Sequence, residues 1–412
     1  MQNQLTVNRN AMLIRSLIIM LFAGIINSTA VFVSPLAAYY GWETAAVANV
    51  GSTMLLFWPI GSIIGGKIMA AFGAKKATIT GAVLFGAGLL LTGLVPKYSP
   101  WLIYITFSFM IGLGNGIAYT AATYTATSWF PDKIGLASGL CMGINGGSSA
   151  FLAPLCSYLT YAAGIKTCLL IMGTLCCAAA IICGYGLQQA PKGYVPKGWD
   201  SSKSNKNLDS SFESYNASEA VKTRPFWHVF ICMAFFPTLY LIMFPRFSVF
   251  ITDKGFSVVL ATLGVSLYNI ASSVGRLGLG ALIDKIGYKK IYAICWACNI
   301  GSAFMLIFGN SVASILTAYI LIGAGFGATN SVYPVTLTKS FGPMYTGAIY
   351  GFALLGYMVS TQVIPRISNL LIASTGGYQA SFTVALVLCT IAVASMILVP
   401  KLDRKKIMEN KN

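Results

Sequence analysis

Gly280-Ala281-Leu282-Ile283-Asp284-Lys285-Ile286-Gly287-Tyr288-Lys289-Lys290 has a counterpart earlier in the chain: Gly66, Gly73, Lys75 and Lys76 stand 214 residues before Gly280, Gly287, Lys289 and Lys290. A second echo follows at an offset of 211, where Gly112, Gly114, Gly116 and Phe130 return as Gly323, Gly325, Gly327 and Phe341. Gly135 and Gly139 return one residue further on, as Gly347 and Gly351. Repetition at half the chain length means two similar halves. Composition says what the halves are made of: 56% apolar and 9% charged residues, with a mean hydropathy of +0.74, describe an integral membrane protein. A spanning helix needs about 20 predominantly apolar residues. Twelve such segments are present, near 12–37, 44–71, 75–95, 101–127, 134–163, 166–187, 226–251, 257–283, 288–309, 311–338, 345–373 and 379–400. The first is too long for the apolar core of a cleaved signal peptide and lacks a basic leader, so it is expected to be a retained helix.

The expected fold is an all-α membrane protein, with twelve transmembrane helices in two pseudo-symmetric six-helix bundles over 1–187 and 225–412. Parallel halves of this kind are related by a pseudo-two-fold axis along the membrane normal, with a site between them near the midplane. The polar interval 188–224, with serines at Ser201, Ser202, Ser210 and Ser211, reads as a flexible linker. A net charge of +17 raises the possibility of nucleic acid, and its distribution argues against it. Of 27 Lys and Arg, Arg246, Arg276 and Arg366 lie within apolar segments, and Lys97, Lys166 and Lys254 lie in alternate loops. The rest fall at the termini, in the other loops or at the segment ends beside them, which the positive-inside bias places in the cytoplasm together with both chain ends, as in a protein of the cytoplasmic (inner) membrane. The tail Lys401, Arg404, Lys405 and Lys406 is expected to face anionic headgroups of the lipid bilayer.

Ten cysteines all lie within or at the ends of apolar segments without zinc spacing, the pattern of small packing residues. His228, the sole histidine, opens the seventh segment as an interfacial side chain. No metal, cofactor or obligate protein partner is implied.

Arg276 is the exception to the apolar rule. It sits inside Phe256–Ile283, and none of the ten acidic residues falls within an apolar segment. An arginine at the centre of a membrane helix costs roughly 2.5 to 3.5 kcal/mol on insertion scales. A small carboxylate substrate completes the pair, since a planar guanidinium fork matches a carboxylate through two bonds; the alternatives are snorkelling to the interface or pairing with a carbonyl. Arg246 and Arg366 follow Pro245 and Pro365 towards the outer face, where they either snorkel or draw anions into a vestibule. Gly135, Gly139, Gly143 and Gly147 recur every fourth residue, a flat stripe along which backbones approach and helices slide.

Gly280 to Lys290 resembles the cytoplasmic loop signature of the major facilitator superfamily, whose acidic residue and basic neighbours latch helix ends. That resemblance implies a latch at Asp284, Lys285, Gly280 and Gly287; in the first half the acidic position is Ala70. Trp129-Phe130-Pro131-Asp132-Lys133-Ile134-Gly135-Leu136-Ala137-Ser138-Gly139 is similar to the corresponding segment of the oxalate/formate antiporter family, relatives of monocarboxylate transporters. Phe226-Trp227 extends the similarity over essentially the whole chain. It implies alternating access and a substrate-pairing role for Arg276. Tyr119 matches an aromatic substrate contact; Asn330 stands where the relative has a tyrosine, and Asn27 near a polar contact of the first segment. Tyr357 occupies the position of the dicarboxylate antiporter's second cation, a lysine, which points to a monocarboxylate or to a substrate with a neutral second end. Proton-coupled relatives carry an aspartate one turn before the arginine, and Ser272 stands there. The expectation is therefore anion exchange or facilitated movement, with proton symport left open and a multidrug exporter of the same fold disfavoured for want of an intramembrane acid.

Overall fold

The computed structural model describes residues 8–191, 194–196, 215–342 and 345–398. The middle of the expected linker and the basic tail Lys401, Arg404, Lys405 and Lys406 lie outside the described residues.

The first crossing consists of α1 (Arg9–Ala23) and α2 (Ala30–Tyr40), joined by a 3-10 turn at Gly24–Ser28. Then come α3 (Thr44–Leu94), α4 (Gly112–Trp129) after π-helical Tyr104–Ile111, α5 (Ile134–Gly147) and α6 (Ser149–Tyr185). After a short helix, α7 (Ala217–Val221), the seventh crossing is again interrupted, as α8 (Arg224–Phe235), α9 (Thr238–Met243) and α10 (Phe247–Asp253). The remaining crossings are α11 (Val258–Ile286), α12 (Tyr288–Phe308), α13 (Val312–Phe341), α14 (Thr346–Thr375) and α15 (Gln379–Ile397).

Nine runs among the described residues are long and apolar enough to cross a membrane unaided. Two of them, Asn49–Leu94 and Ile134–Tyr185, are 46 and 52 residues long, twice what one crossing needs. Gly73 (φ 85, ψ 167) and Gly164 (φ 82, ψ 161) reverse the chain inside α3 and α6, in a backbone region open essentially to glycine alone. α11 (Val258–Ile286) completes twelve crossings. Gly287 adopts φ 83 and ψ 157 between α11 and α12, the conformation of Gly73, so the repeated glycine marks a repeated turn. An even number of crossings puts both ends of the helical body on one side, here called the terminal face.

The repeat is visible in the packing. Beside both interrupted crossings main-chain carbonyls accept side-chain donors from other helices: Met20 O and Ala23 O from the amides of Asn145 and Asn115, and Cys232 O and Ala234 O from the hydroxyls of Tyr333 and Ser360. Met20 O and Cys232 O also keep the helical bond from the N–H of Gly24 and Phe236. Unsatisfied backbone groups inside a bilayer cost several kcal/mol each, so polar side chains beside the breaks help to tolerate them. The two bundles meet where α5 runs against α11 and α3 against α14. A Cβ at Gly135 would lie 2.4 Å from Gly280 O, and one at Gly139 would lie 2.7 Å from Arg276 O. In the pseudo-symmetric seam a Cβ at Gly66 would lie 2.1 Å from Ala348 N, and one at Gly351 would lie 2.4 Å from Ile63 N. The glycines that echo in sequence are the surfaces along which the halves touch.

The linker is not flexible along its whole described length. Asn216 and Glu219 form a reciprocal capping box on α7, and Tyr215 N–H donates to Phe341 O at 3.0 Å, which fastens the end of the linker to α13.

Candidate functional site

Arg276 lies ten residues before the end of α11, about 15 Å in from the terminal face at 1.5 Å per residue. It does not snorkel. Its half-buried side chain crosses the seam to α5, where Nη1 donates to Met142 O at 3.1 Å. Nε is buried and has no hydrogen-bond partner. The ion pair described in the molecule joins Arg9 to Asp132 at 3.1 Å, so Arg276 has no carboxylate mate among the described residues. A buried donor left unpaired costs about 1 to 3 kcal/mol. The carbonyl alternative to a substrate is thus realised in part, with one acceptor for a group that carries five donors.

Aromatic side chains from both bundles surround this cation. Tyr119 on α4 donates its hydroxyl to Met142 Sδ, meets Trp58 edge-on with ring centroids 5.3 Å apart, and stacks across the seam on Tyr350 at 6.4 Å. Trp58 Nε1 is buried without a partner. From the second bundle, Tyr240 stacks on Tyr268 at 5.6 Å and on Phe326 at 3.9 Å. Tyr119, Tyr240, Tyr268 and Tyr357 all lie within electrostatic range of the Arg276 charge. The arrangement offers a cation, an unpaired indole N–H and aromatic rings, groups that suit recognition of a small anion.

Of the sequence candidates, Arg276, Tyr119 and Tyr357 come together here. Asn27 and Asn330 have other described partners. Asn27 donates to Asn145 O at 3.0 Å and so ties the break after α1 to the end of α5, while Asn330 donates to Phe326 O of its own helix at 2.9 Å. Arg246 bonds Asn369 Oδ1 and lies 5.9 Å from the centroid of the Tyr378 ring, and Arg366 is exposed on α14. Trp58, Tyr240, Tyr268, Tyr350 and Gly146 were not singled out from sequence. Gly146 accommodates the guanidinium: a Cβ there would stand 1.5 Å from Arg276 Nη1.

At the terminal face Asp284 reaches across the seam. Its two carboxylate oxygens accept from the backbone N–H groups of Gly135 at 2.9 Å and Leu136 at 3.1 Å, in the first turn of α5. Lys133, at the N-cap of α5, supplies no capping side chain, so the cap comes from the other bundle. A negative charge at a helix N-terminus satisfies free donors and opposes the helix dipole. The partner of Asp284 is therefore a helix end rather than its neighbour Lys285, which is exposed. Ser138 Oγ donates to Ser331 O at 3.1 Å, a further tie between the bundles in this half of the seam. Ala70 offers no equivalent to Asp284 opposite α14.

The family model described as Major Facilitator Superfamily matches residues 16–365, with a second match at 265–411. The chain is 25% identical over 400 residues to the oxalate:formate antiporter of Oxalobacter formigenes, covering 94% of this chain and 90% of that protein. It is 27% identical over 381 residues to monocarboxylate transporter 10 of Homo sapiens, covering 89% and 71%. Among solved structures, the E. coli fucose:proton symporter FucP in the outward conformation superposes with a TM-score of 0.70 at 15% identity, covering 94% of this chain and 97% of that one. Twelve crossings in two repeated bundles and a family match that spans most of the sequence make one assignment: the chain belongs to the major facilitator superfamily and is a membrane transporter, not an enzyme.

Proposed function

We propose that this transporter moves a small monocarboxylate across the membrane by alternating access, through anion exchange or facilitated transport, with Arg276 pairing the carboxylate. The observation that carries the reading is a half-buried guanidinium between the bundles with one main-chain acceptor, a buried unpartnered Nε and no carboxylate within ion-pair distance among the described residues. Oxalate, formate and monocarboxylate transport by relatives supports an organic anion. Tyr357, where the dicarboxylate relative has a lysine, favours one carboxylate, with Trp58 Nε1 and Tyr119 placed to meet a neutral second end. Asn27 and Asn330 act through the shape of the pocket, and Arg246 and Arg366 form a vestibule that attracts anions by its positive field. Asp284, with Lys285, Gly280 and Gly287 around it, latches the terminal face closed. The terminal face is cytoplasmic on the positive-inside bias, in the cytoplasmic membrane, and the bundles extend over 1–187 and 225–412 with a linker at 188–224. Ser272, in place of the carboxylate of proton-coupled relatives, favours exchange over proton symport. The test is a counterflow panel of formate, lactate, pyruvate and oxalate in proteoliposomes, with Arg276→Ala alongside. Accelerated exchange of at least one monocarboxylate, abolished by Arg276→Ala, is expected; exchange undiminished in that variant overturns the reading.

A further inference from the structure

Arg276 holds a bond that its substrate has to displace. Its side chain leaves α11 in one bundle and ends on Met142 O of α5 in the other, so the residue that takes the anion also ties the halves together. Three further contacts cross this seam differently. Gly135 and Gly139 present bare backbone to Gly280 and Arg276, which resists sliding little. Ser138 bonds Ser331, and Asp284 caps α5, but neither involves the group that binds cargo. Of these described contacts, the Arg276 bond is the one made by a cationic donor beside which a substrate carboxylate would bind.

Gly146 makes that reach possible. A methyl group there would lie 1.5 Å from Nη1 and 2.4 Å from Cζ of Arg276, far inside any contact distance, so every other residue type pushes the guanidinium off α5. Backbone conformation does not demand glycine here, because Gly146 is absent from the positive-φ glycines. Space does. Gly147, the next residue, is different: a Cβ there would make an ordinary 3.6 Å contact with Ser273 Oγ.

We infer that Gly146 is a positioning residue which lets Arg276 cross-link the empty transporter through Met142 O, so that the bundles part readily only when a substrate carboxylate takes over the guanidinium. Breaking the bond in the empty protein strands the Nη1 donor beside an Nε that is already unpartnered, and a hydrogen bond to a charged group carries more energy than a neutral one. A carboxylate supplies two acceptor oxygens matched to the fork and removes the penalty. The loaded protein then reorients faster than the empty one, which is the kinetic condition for exchange over net flux. This inference rests on Arg276 being the anion site.

The experiment compares, in proteoliposomes, exchange of labelled formate and lactate against internal substrate with net efflux into substrate-free buffer. Anion binding to purified protein is followed by tryptophan fluorescence. Wild type is expected to exchange at least tenfold faster than it releases net substrate. Gly146→Ala is expected to bring that ratio within about threefold of unity while still binding anion, and Gly147→Ala to keep the wild-type ratio. A wild-type ratio in Gly146→Ala, or an equal collapse in Gly147→Ala, overturns the inference. Binding undiminished in Arg276→Ala instead overturns the underlying anion reading, a separate result. Should Gly146→Ala fail to fold, spin-label distances between the α5 and α11 ends remote from the terminal face serve in its place. Empty wild type is expected to show one distribution, which broadens or shifts in Arg276→Lys, whose single ammonium cannot lie across Gly146; identical distributions refute the cross-link.

Discussion

At the scale of single residues, the site depends on shape as much as charge. Lys in place of Arg276 keeps the cation but loses the planar fork and the length that spans the seam. Arg276→Lys is expected to weaken monocarboxylate binding at least tenfold, about 1.4 kcal/mol, measured by titration of purified protein; wild-type affinity would show that a point charge suffices. Tyr357 tests selectivity. It lies within range of the Arg276 charge where the dicarboxylate relative has its lysine, so Tyr357→Lys should raise the preference for oxalate over formate about tenfold or more in counterflow. An unchanged preference would remove Tyr357 from the specificity argument. Arg276 was legible in the sequence because a cation without an acidic counterpart among apolar segments is conspicuous. Gly146 was not, because the four-residue stripe pointed to Gly147, and which glycine meets a long side chain depends on the phase of α5 against α11. The resemblance offered Asn27 and Asn330 as substrate contacts, and in the structure each has its amide engaged with a main-chain carbonyl. A matched position does not reveal rotation about the helix axis.

Among the helices, the asymmetry of the two seams is the informative feature. α11 ends in a carboxylate that caps α5 across the interface, whereas α3 meets the start of α14 with Ala70 at the corresponding place. Loss of a helix cap costs about 0.5 to 2 kcal/mol. Asp284→Ala should therefore shift the equilibrium away from the state closed at the terminal face by roughly 2- to 30-fold, read as faster thiol labelling of single cysteines introduced along the terminal half of the seam. Ala70→Asp runs the test in reverse. By the repeat, its carboxylate faces the N–H groups of Gly347 and Ala348, where the backbones already touch at Gly66. It should slow both that labelling and transport, and Asp284→Ala combined with Ala70→Asp should fall between the single variants. Labelling unaffected by either change would deny the helix-end bonds a role in conformation. The crossings themselves were legible from apolar length, and the repeated glycines marked real turns. The breaks after Ala23 and Phe235 were not, because Gly24–Ser28 and Pro237 look locally like tolerable helix punctuation. The side chains that bond the carbonyls beside them, Asn115, Asn145, Tyr333 and Ser360, lie on other helices and distant in sequence.

The whole molecule poses the question of what drives transport. The apolar segments carry cations but no acidic residue, and the sole histidine, His228, bonds Ser395 on α15, with Nδ1 2.7 Å from the hydroxyl, away from Arg276. Ser272 lies one turn before Arg276 and has no carboxylate with which to hold a proton. A proton-coupled cycle needs a group that binds the proton on one face and releases it on the other; among the described residues the seam's carboxylate, Asp284, lies at the terminal face with both oxygens on the start of α5, about two turns of helix away from Arg276. On the proposed reading, substrate bound at Arg276 is carried as an anion, with its charge paired for the journey. Two consequences can be measured in proteoliposomes. Exchange with external formate should vary less than twofold between pH 6 and 8, a range in which formate stays ionised. An inwardly acidifying pH gradient, imposed without internal substrate, should give no accumulation above equilibrium, whereas a formate gradient should drive uptake of a second labelled monocarboxylate against its own. Accumulation driven by the pH gradient alone would make the cargo itself, or water beside Arg276, the proton carrier. The guanidinium would then be present to recruit the anion before its protonation, rather than to accompany its charge across the membrane.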